Sequence, residues 1–170
     1  MKNNISCLIV AIADNGIIGK QNTIPWKQRA DMLRFKTLTM GKGNNALLMG
    51  KNTFLSLGGV LPKRKTIVVS QDTSLEDYAD VKVCGSLVEA VTFAEQTDIE
   101  ELFLAGGTAI YRDGIIFADT LYVTRIHGNV EGDTHFPDID WSPFEKKESE
   151  TFPADEKNEF SYTFEVWKRK

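Results

Sequence analysis

Near the start of the chain, Ile5 to Ala13 is rich in aliphatic and β-branched residues and shows no period of two. A strand with one wet face alternates, so this run predicts a strand covered on both faces, inside a largely parallel sheet. Such a sheet needs crossover segments, and the rest of the chain supplies them. Short apolar runs recur at Ala46 to Met49, Thr66 to Ser70, Glu101 to Ala105 and Leu121 to Ile126. Helical segments lie between them at Arg29 to Met40, Lys51 to Leu57, Leu87 to Thr97 and Ala109 to Phe117. That alternation predicts an α/β domain. Toward the end, Tyr162, Phe164 and Val166 alternate with Thr163, Glu165 and Trp167, a half-buried strand pattern. Phe144 to Phe152 is placed to pair with it antiparallel through the polar link at Asp155 to Asn158, giving the sheet an antiparallel edge. No repeat, low-complexity tract or linker divides the 170 residues, which suit one domain.

Charge and composition exclude several classes. The net charge of −4 and the lack of a basic cluster argue against a nucleic-acid binder. Lys168-Arg169-Lys170 reads as a solvated end. The apolar stretch from Cys7 to Ala13 is far shorter than the roughly 20 residues of a membrane helix, and nothing resembles a signal peptide. Cys7 and Cys84 lie far apart without metal-ligand spacing, so a reducing cytoplasm is the expected home. The histidines, His127 and His135, fit no common metal site, and no metal is expected.

The first strand is not followed by a Gly-x-Gly-x-x-Gly turn, and Gly41-Lys42-Gly43 precedes a strand and reads as a turn. A dinucleotide would need other equipment. Ala105-Gly106-Gly107-Thr108-Ala109-Ile110-Tyr111 and Gly50-Lys51-Asn52-Thr53 each run from a strand through glycine into a helix. Glycine lets a ligand approach the backbone and a helix start offers free N–H groups, although such turns are often purely structural. The link from Gly16 to Trp26 exceeds the usual 2–6 residues or so, which suits a lid or a surface loop anchored by Trp26. Asp31 shares a helix face with Phe35 and Leu38. Locally it reads either as a buried functional carboxylate or as an acid meeting the helix's positive end. Glu131 to Pro137 reads locally as a solvated loop.

Taken in order, these segments resemble dihydrofolate reductase over nearly the whole chain, Ile5 to Trp167. The pieces are Ile18-Gly19 with Pro25-Trp26; Asp31 with Phe35-Lys36; Met49-Gly50-Lys51-Asn52-Thr53-Phe54; Leu61-Pro62 with Arg64; Gly106-Gly107 with Tyr111; Thr124; and Glu131-Gly132-Asp133-Thr134-His135-Phe136-Pro137. The resemblance implies an eight-stranded, mainly parallel sheet with an antiparallel C-terminal edge and four flanking helices, and a cleft beside the first helix. It implies hydride transfer from NADPH to C6 of dihydrofolate with protonation at N5, in a cytoplasmic monomer open to antifolates such as trimethoprim and methotrexate.

By the same resemblance Asp31, Trp26, Thr124 and Tyr111 are the catalytic set. Ile9, Val10, Ala11, Ile24, Met32, Phe35, Leu57, Leu61 and Ala105 join Asp31 and Thr124 around the substrate, and Arg64 grips its glutamate. The cofactor falls to Ala11, Ile18, Gly19, Gly50, Lys51, Asn52, Thr53, Ser70, Gln71, Gly106, Gly107, Thr108, Ala109, Ile110 and Tyr111. Two rivals are a riboflavin-pathway reductase on a similar sheet and a non-catalytic module that binds NADPH or a pterin.

Overall fold

The computed structural model describes residues 4–170. In chain order the elements are β1 (Ile5–Ala13), β2 (Ile17–Gly19), α1 (Arg29–Met40), β3 (Ala46–Gly50), α2 (Lys51–Ser56), β4 (Lys65–Val69) and β5 (Val81–Cys84). There follow α3 (Leu87–Glu95), β6 (Glu101–Leu104), α4 (Thr108–Gly114), β7 (Thr120–Ile126), β8 (Thr134–His135), β9 (Phe144–Phe152) and β10 (Tyr162–Arg169). Eight strands form one sheet in the order β5-β4-β3-β6-β1-β7-β10-β9, and β2 pairs separately with β8. Neighbours from β5 to β7 are parallel, while β10 is antiparallel to both β7 and β9. The expected mixed α/β sheet with four helices is the one the chain forms.

β1 lacks alternation for the reason expected. It has a parallel partner on each side and a packed layer on each face. Cys7 and Ile9 join Leu47, Met49, Phe54 and Phe103 beneath Phe35 and Leu38 of α1. Leu8, Val10 and Ile12 join Tyr111, Leu121 and Val123 on the opposite face. β3 and β6 divide in the same way, with Leu48, Leu102 and Leu104 turned toward α3 and α4. The helices therefore cover both faces. This leaves the carboxyl ends of the parallel strands as the open edge, where open α/β sheets bind ligands.

Several local expectations are corrected. The polar positions of β10 are not wet: Thr163 is 6% and Glu165 6% exposed, as buried as Tyr162. Their polar atoms find partners instead. The Thr163 hydroxyl meets His127 Nε2 at 2.6 Å and Thr151 at 2.8 Å. Glu165 accepts from Arg125 Nε and Trp167 Nε1, both at 3.1 Å. The basic tail is exposed, as expected of a solvated end, but it is ordered. β10 runs through Arg169, whose guanidinium donates to the carbonyls of Ala118 (2.9 Å) and Ile115 (3.0 Å) and lies 4.6 Å over Phe144. The helix expected to reach Phe117 stops at Gly114 and ends in a 3-10 turn, and α3 stops at Glu95. Strand β5 had no separate signal. The outer strand β9 is exposed along most of its length and carries Glu145, Lys146, Lys147, Glu148 and Glu150, charges that discourage pairing with another chain.

Candidate active site

The turns singled out in the sequence meet at that open edge. Gly50 ends β3, Ser70 follows β4, and Ala105-Gly106-Gly107 follows β6. Gly50 N–H donates to the Gly106 carbonyl at 2.9 Å, which ties two of the turns together. Gly106 has φ +106°, and a Cβ there would lie 3.2 Å from the Tyr111 hydroxyl, so glycine is needed on both counts. Thr53 and Gly107 face each other, the hydroxyl lying 3.7 Å from where a Gly107 Cβ would sit. Lys51, Thr53, Ser70 and the backbone N–H groups beside them are donors, the chemistry a pyrophosphate requires, and the glycines leave room for it. Lys51 Nζ is already engaged by Asp72 Oδ2 at 2.9 Å. Bonds from Lys51 and from Ser74 hold the Asp72 carboxyl down at about 2.

Across the edge stands α1. Its N-cap residue Gln28 makes no side-chain cap, and Asp31 stands in the first turn. The Asp31 Oδ1 accepts a 2.6 Å bond from the Thr124 hydroxyl on β7. Thr124 is paired in register with Ala11 of β1, so the carboxyl sits over the carboxyl end of the central strand. Burial pushes its pKa up, opposed first by the Thr124 hydrogen bond and then by the charge of Arg34. Ile9, Phe35, Leu61 and Ala105 pack in one apolar cluster below. Ile24, Met32 and Leu57 are 61%, 68% and 37% exposed.

Other nominated residues fall differently. Val10 packs on the opposite face of β1 with Ile12 and Tyr111, so its side chain cannot line a pocket beside Phe35. Trp26 is buried with Ala13, Ile17, Ile126 and Tyr162, an anchor for the link. Tyr111 is buried, its hydroxyl donates to the Ile9 carbonyl at 2.9 Å, and burial pushes the phenol above its ordinary range. It positions β1 against the glycine turn. Arg64 is 8% exposed, with Nε on the Pro62 carbonyl (3.0 Å) and Nη1 on Thr39 Oγ1 (3.2 Å). Its Nη2 has no protein partner among the described residues. Thr108 Oγ1 donates to the His135 carbonyl at 3.0 Å, while Ala109 is exposed and Ile110 buried.

A family model described as dihydrofolate reductase matches residues 5–169. The chain belongs to the dihydrofolate reductase family. It is 41% identical over 157 residues to the type 3 dihydrofolate reductase of Salmonella typhimurium, covering 92% of this chain and 93% of that one. It is 38% identical over 162 residues to the dihydrofolate reductase of Bacillus subtilis (strain 168), with 95% and 93% covered. A solved dihydrofolate reductase from Enterococcus faecalis, complexed with NADP(H) and RAB-propyl, superposes with a TM-score of 0.90 at 33% identity, covering 98% and 97%.

Within this reductase fold the long link is built, not loose. Gly19 and Ile17 pair with Thr134 and His135. Lys20 and Thr23 exchange backbone bonds of 2.9 and 2.8 Å around Gln21 and Asn22, which take positive φ. Gln21 N–H donates to Asp133 Oδ2 at 2.9 Å. Thus Glu131 to Pro137, which reads locally as a solvated loop, is the partner that shapes the link. A Cβ on Gly132 would collide with Ile17 Cγ2 and lie 2.6 Å from the Gly19 carbonyl. Gly132→Ala is therefore expected to prise β8 from β2 and raise backbone hydrogen exchange across 16–24, with β1 and β6 unchanged. Exchange measured by mass spectrometry checks it, and unaltered protection of 16–24 refutes it.

Sequence reasoning missed Arg34, Thr39 and Asp72. Arg34 stands three residues after Asp31 on one helix face, a spacing that could have flagged it. The other two contacts span turns and carry no such signal.

Proposed function

We propose that dihydrofolate lies in the crevice between α1 and the carboxyl ends of β1 and β6. Asp31 accepts the pterin's adjacent N–H and amino groups, Phe35 and Leu61 bear on the rings, and Arg64 takes the glutamate α-carboxylate. The reaction is that of the family: NADPH supplies a hydride to C6 of 7,8-dihydrofolate, N5 gains a proton, and 5,6,7,8-tetrahydrofolate results. The position of the Asp31 carboxyl, sunk against Thr124 at the crevice floor, carries this reading. Ionised, it fixes the ring's orientation and favours positive charge at N5, so the imine becomes a better hydride acceptor. The proton itself reaches N5 from water admitted beside Ile24. Lys51, Thr53, Ser70 and Gly107 hold the cofactor's phosphates, and a 2′-phosphate shares Lys51 with Asp72.

Residues 1–170 act as one reductase domain, residues 1–3 lying outside the described part, and the chain works as a cytoplasmic monomer. The charged outer strand supports the monomer. Cys7 and Cys84 are both buried, and two cysteines far apart in the chain suit a reducing compartment. No helix among the described residues is long and apolar enough to cross a membrane.

The test is absorbance at the NADPH band. Dihydrofolate should start its loss and trimethoprim should stop it, with little turnover of a ribosylated pyrimidine. Tight binding of both ligands without NADPH oxidation overturns the reading in favour of a binding module.

A further inference from the structure

Beside the Asp31–Thr124 pair, toward β9 and β10, lies a half-buried cation. Arg34 is one turn along α1 from Asp31. Its Nη1 donates to Thr124 Oγ1 at 3.4 Å and to the Val123 carbonyl at 3.3 Å, and its Nη2 donates to the Glu165 carbonyl at 3.2 Å. The guanidinium carbon lies 4.4 Å over the Phe164 ring and 5.7 Å from the centre of Tyr122. β7 and β10 thus hold the group in place on one side while α1 delivers it from the other. The position opposes the charge, since desolvation lowers the Arg34 pKa.

The hydrogen-bond inventory says what the cation does there. A threonine hydroxyl has one proton to donate and lone pairs to accept with, whereas guanidinium only donates. With Nη1 on its lone pair, the Thr124 hydroxyl cannot point its proton at Arg34 and delivers it to Asp31 Oδ1 at 2.6 Å. The same positive charge, one hydroxyl away, favours the carboxylate over the carboxylic acid.

We propose that Arg34 is a positioning residue of the reaction, which from beside Thr124 orients the hydroxyl toward Asp31 and keeps that carboxyl ionised in spite of its burial. The inference rests on the reading that Asp31 engages the pterin.

The other charged and titratable groups around the pair are few. α4 presents Tyr111, whose phenol is pushed up by burial first and then by the charge of Asp31. β7 presents Tyr122, pushed up to about 12 mainly by burial. Glu148 of β9 and Glu165 of β10 both act on Arg34. Glu165 is itself neutralised by Arg125 at 3.1 Å and Lys146 at 3.6 Å. None of these groups sits between Arg34 and Thr124, so the effect on Asp31 belongs to Arg34.

The experiment is a carbon-13 titration of the Asp carboxyls in the full chain without ligands, with the Asp31 signal identified by its absence in Asp31→Asn. In Arg34→Met and Arg34→Gln the Asp31 midpoint is expected to rise by about one unit or more. Arg34→Lys, which keeps the charge, should return it most of the way. A purely structural arginine would lower thermal stability and leave the midpoint where it was. If Arg34→Met fails to fold, Arg34→Gln, which retains N–H donors without charge, is read against Arg34→Lys. The inference is overturned by an Asp31 midpoint unmoved in Arg34→Gln. Failure of the wild-type chain to oxidise NADPH with dihydrofolate would sink the functional reading instead, and the midpoints would still be read.

Discussion

Asp31→Asn is expected to slow hydride transfer at neutral pH by about 10²–10⁴-fold, while making the fold more stable. The two effects have one cause. Asparagine keeps an oxygen for the Thr124 hydroxyl, so the local hydrogen bond survives. What disappears is a negative charge held in a partly desolvated place. In the wild type, burial raises the Asp31 pKa above its ordinary 3.8 in spite of Thr124 and Arg34. An acid whose native pKa exceeds its unfolded one binds its proton longer in the native state. Stability then falls as pH rises from 3.8 to the native value, and the cost is fully present above that value. Asp31→Asn escapes this cost, so its Tm should exceed that of the wild type at neutral pH, and the gap should close as the solution is acidified below both values. For catalysis the same charge is what favours a protonated N5, and its loss should be partly recovered in acid, where solution supplies the proton. Single-turnover kinetics and thermal unfolding across pH measure both. An unchanged hydride step would remove Asp31 from the mechanism, and a lower Tm at neutral pH would contradict the desolvation argument.

Arg64→Leu should raise the KM for dihydrofolate about tenfold to a hundredfold, the scale of losing a charge-assisted carboxylate contact, with the hydride step of the bound substrate nearly unchanged. Arg64 is fixed before the substrate arrives. Pro62 and Thr39 hold two corners of the guanidinium, so little side-chain entropy remains to be lost when a carboxylate docks on Nη2. The Thr39 hydroxyl donates to the Phe35 carbonyl one turn back in α1 at 2.7 Å, so the clamp is continuous with the helix that carries Asp31. A substrate analogue lacking the glutamate, such as dihydropteroate, separates binding from disruption. The variant and the wild type should treat it alike. Were the variant to lose affinity for both, Arg64 would be holding the pocket's shape and not the carboxylate.

Much of the scaffold could be read from local pattern. The unbroken run of β1, the helical span of α1 and the glycine turns after β3 and β6 all announce themselves, because backbone geometry imposes its own period and its own turn chemistry. The errors fall where that link between pattern and burial breaks. Thr163 and Glu165 look solvent-facing by alternation, yet β9 and its neighbours cover them and give each polar atom a partner. Arg169 is exposed, as its place in the basic tail suggests, but three main-chain carbonyls beyond α4 also take its guanidinium, a partnership the tail does not announce. The resemblance puts Val10 beside the substrate with Ile9 and Ala11, but successive strand residues point to opposite faces, and the Val10 side chain packs away from Ile9.

The site divides along the same line. Asp31, the two glycine turns and Arg64 carry their chemistry in their residue types and could be nominated from the chain alone. Whether Asp31 capped its helix or served a crevice was open until β7 came alongside, because its partner Thr124 lies 93 residues away in sequence. The cation beside that pair, the hydroxyl beneath Arg64 and the carboxylate on Lys51 were likewise decided in three dimensions. Side-chain type and period, written in one dimension, determine which elements form and which groups are available. Burial and partnership, which set a carboxyl's charge and a hydroxyl's direction, arise only when distant strands and helices pack.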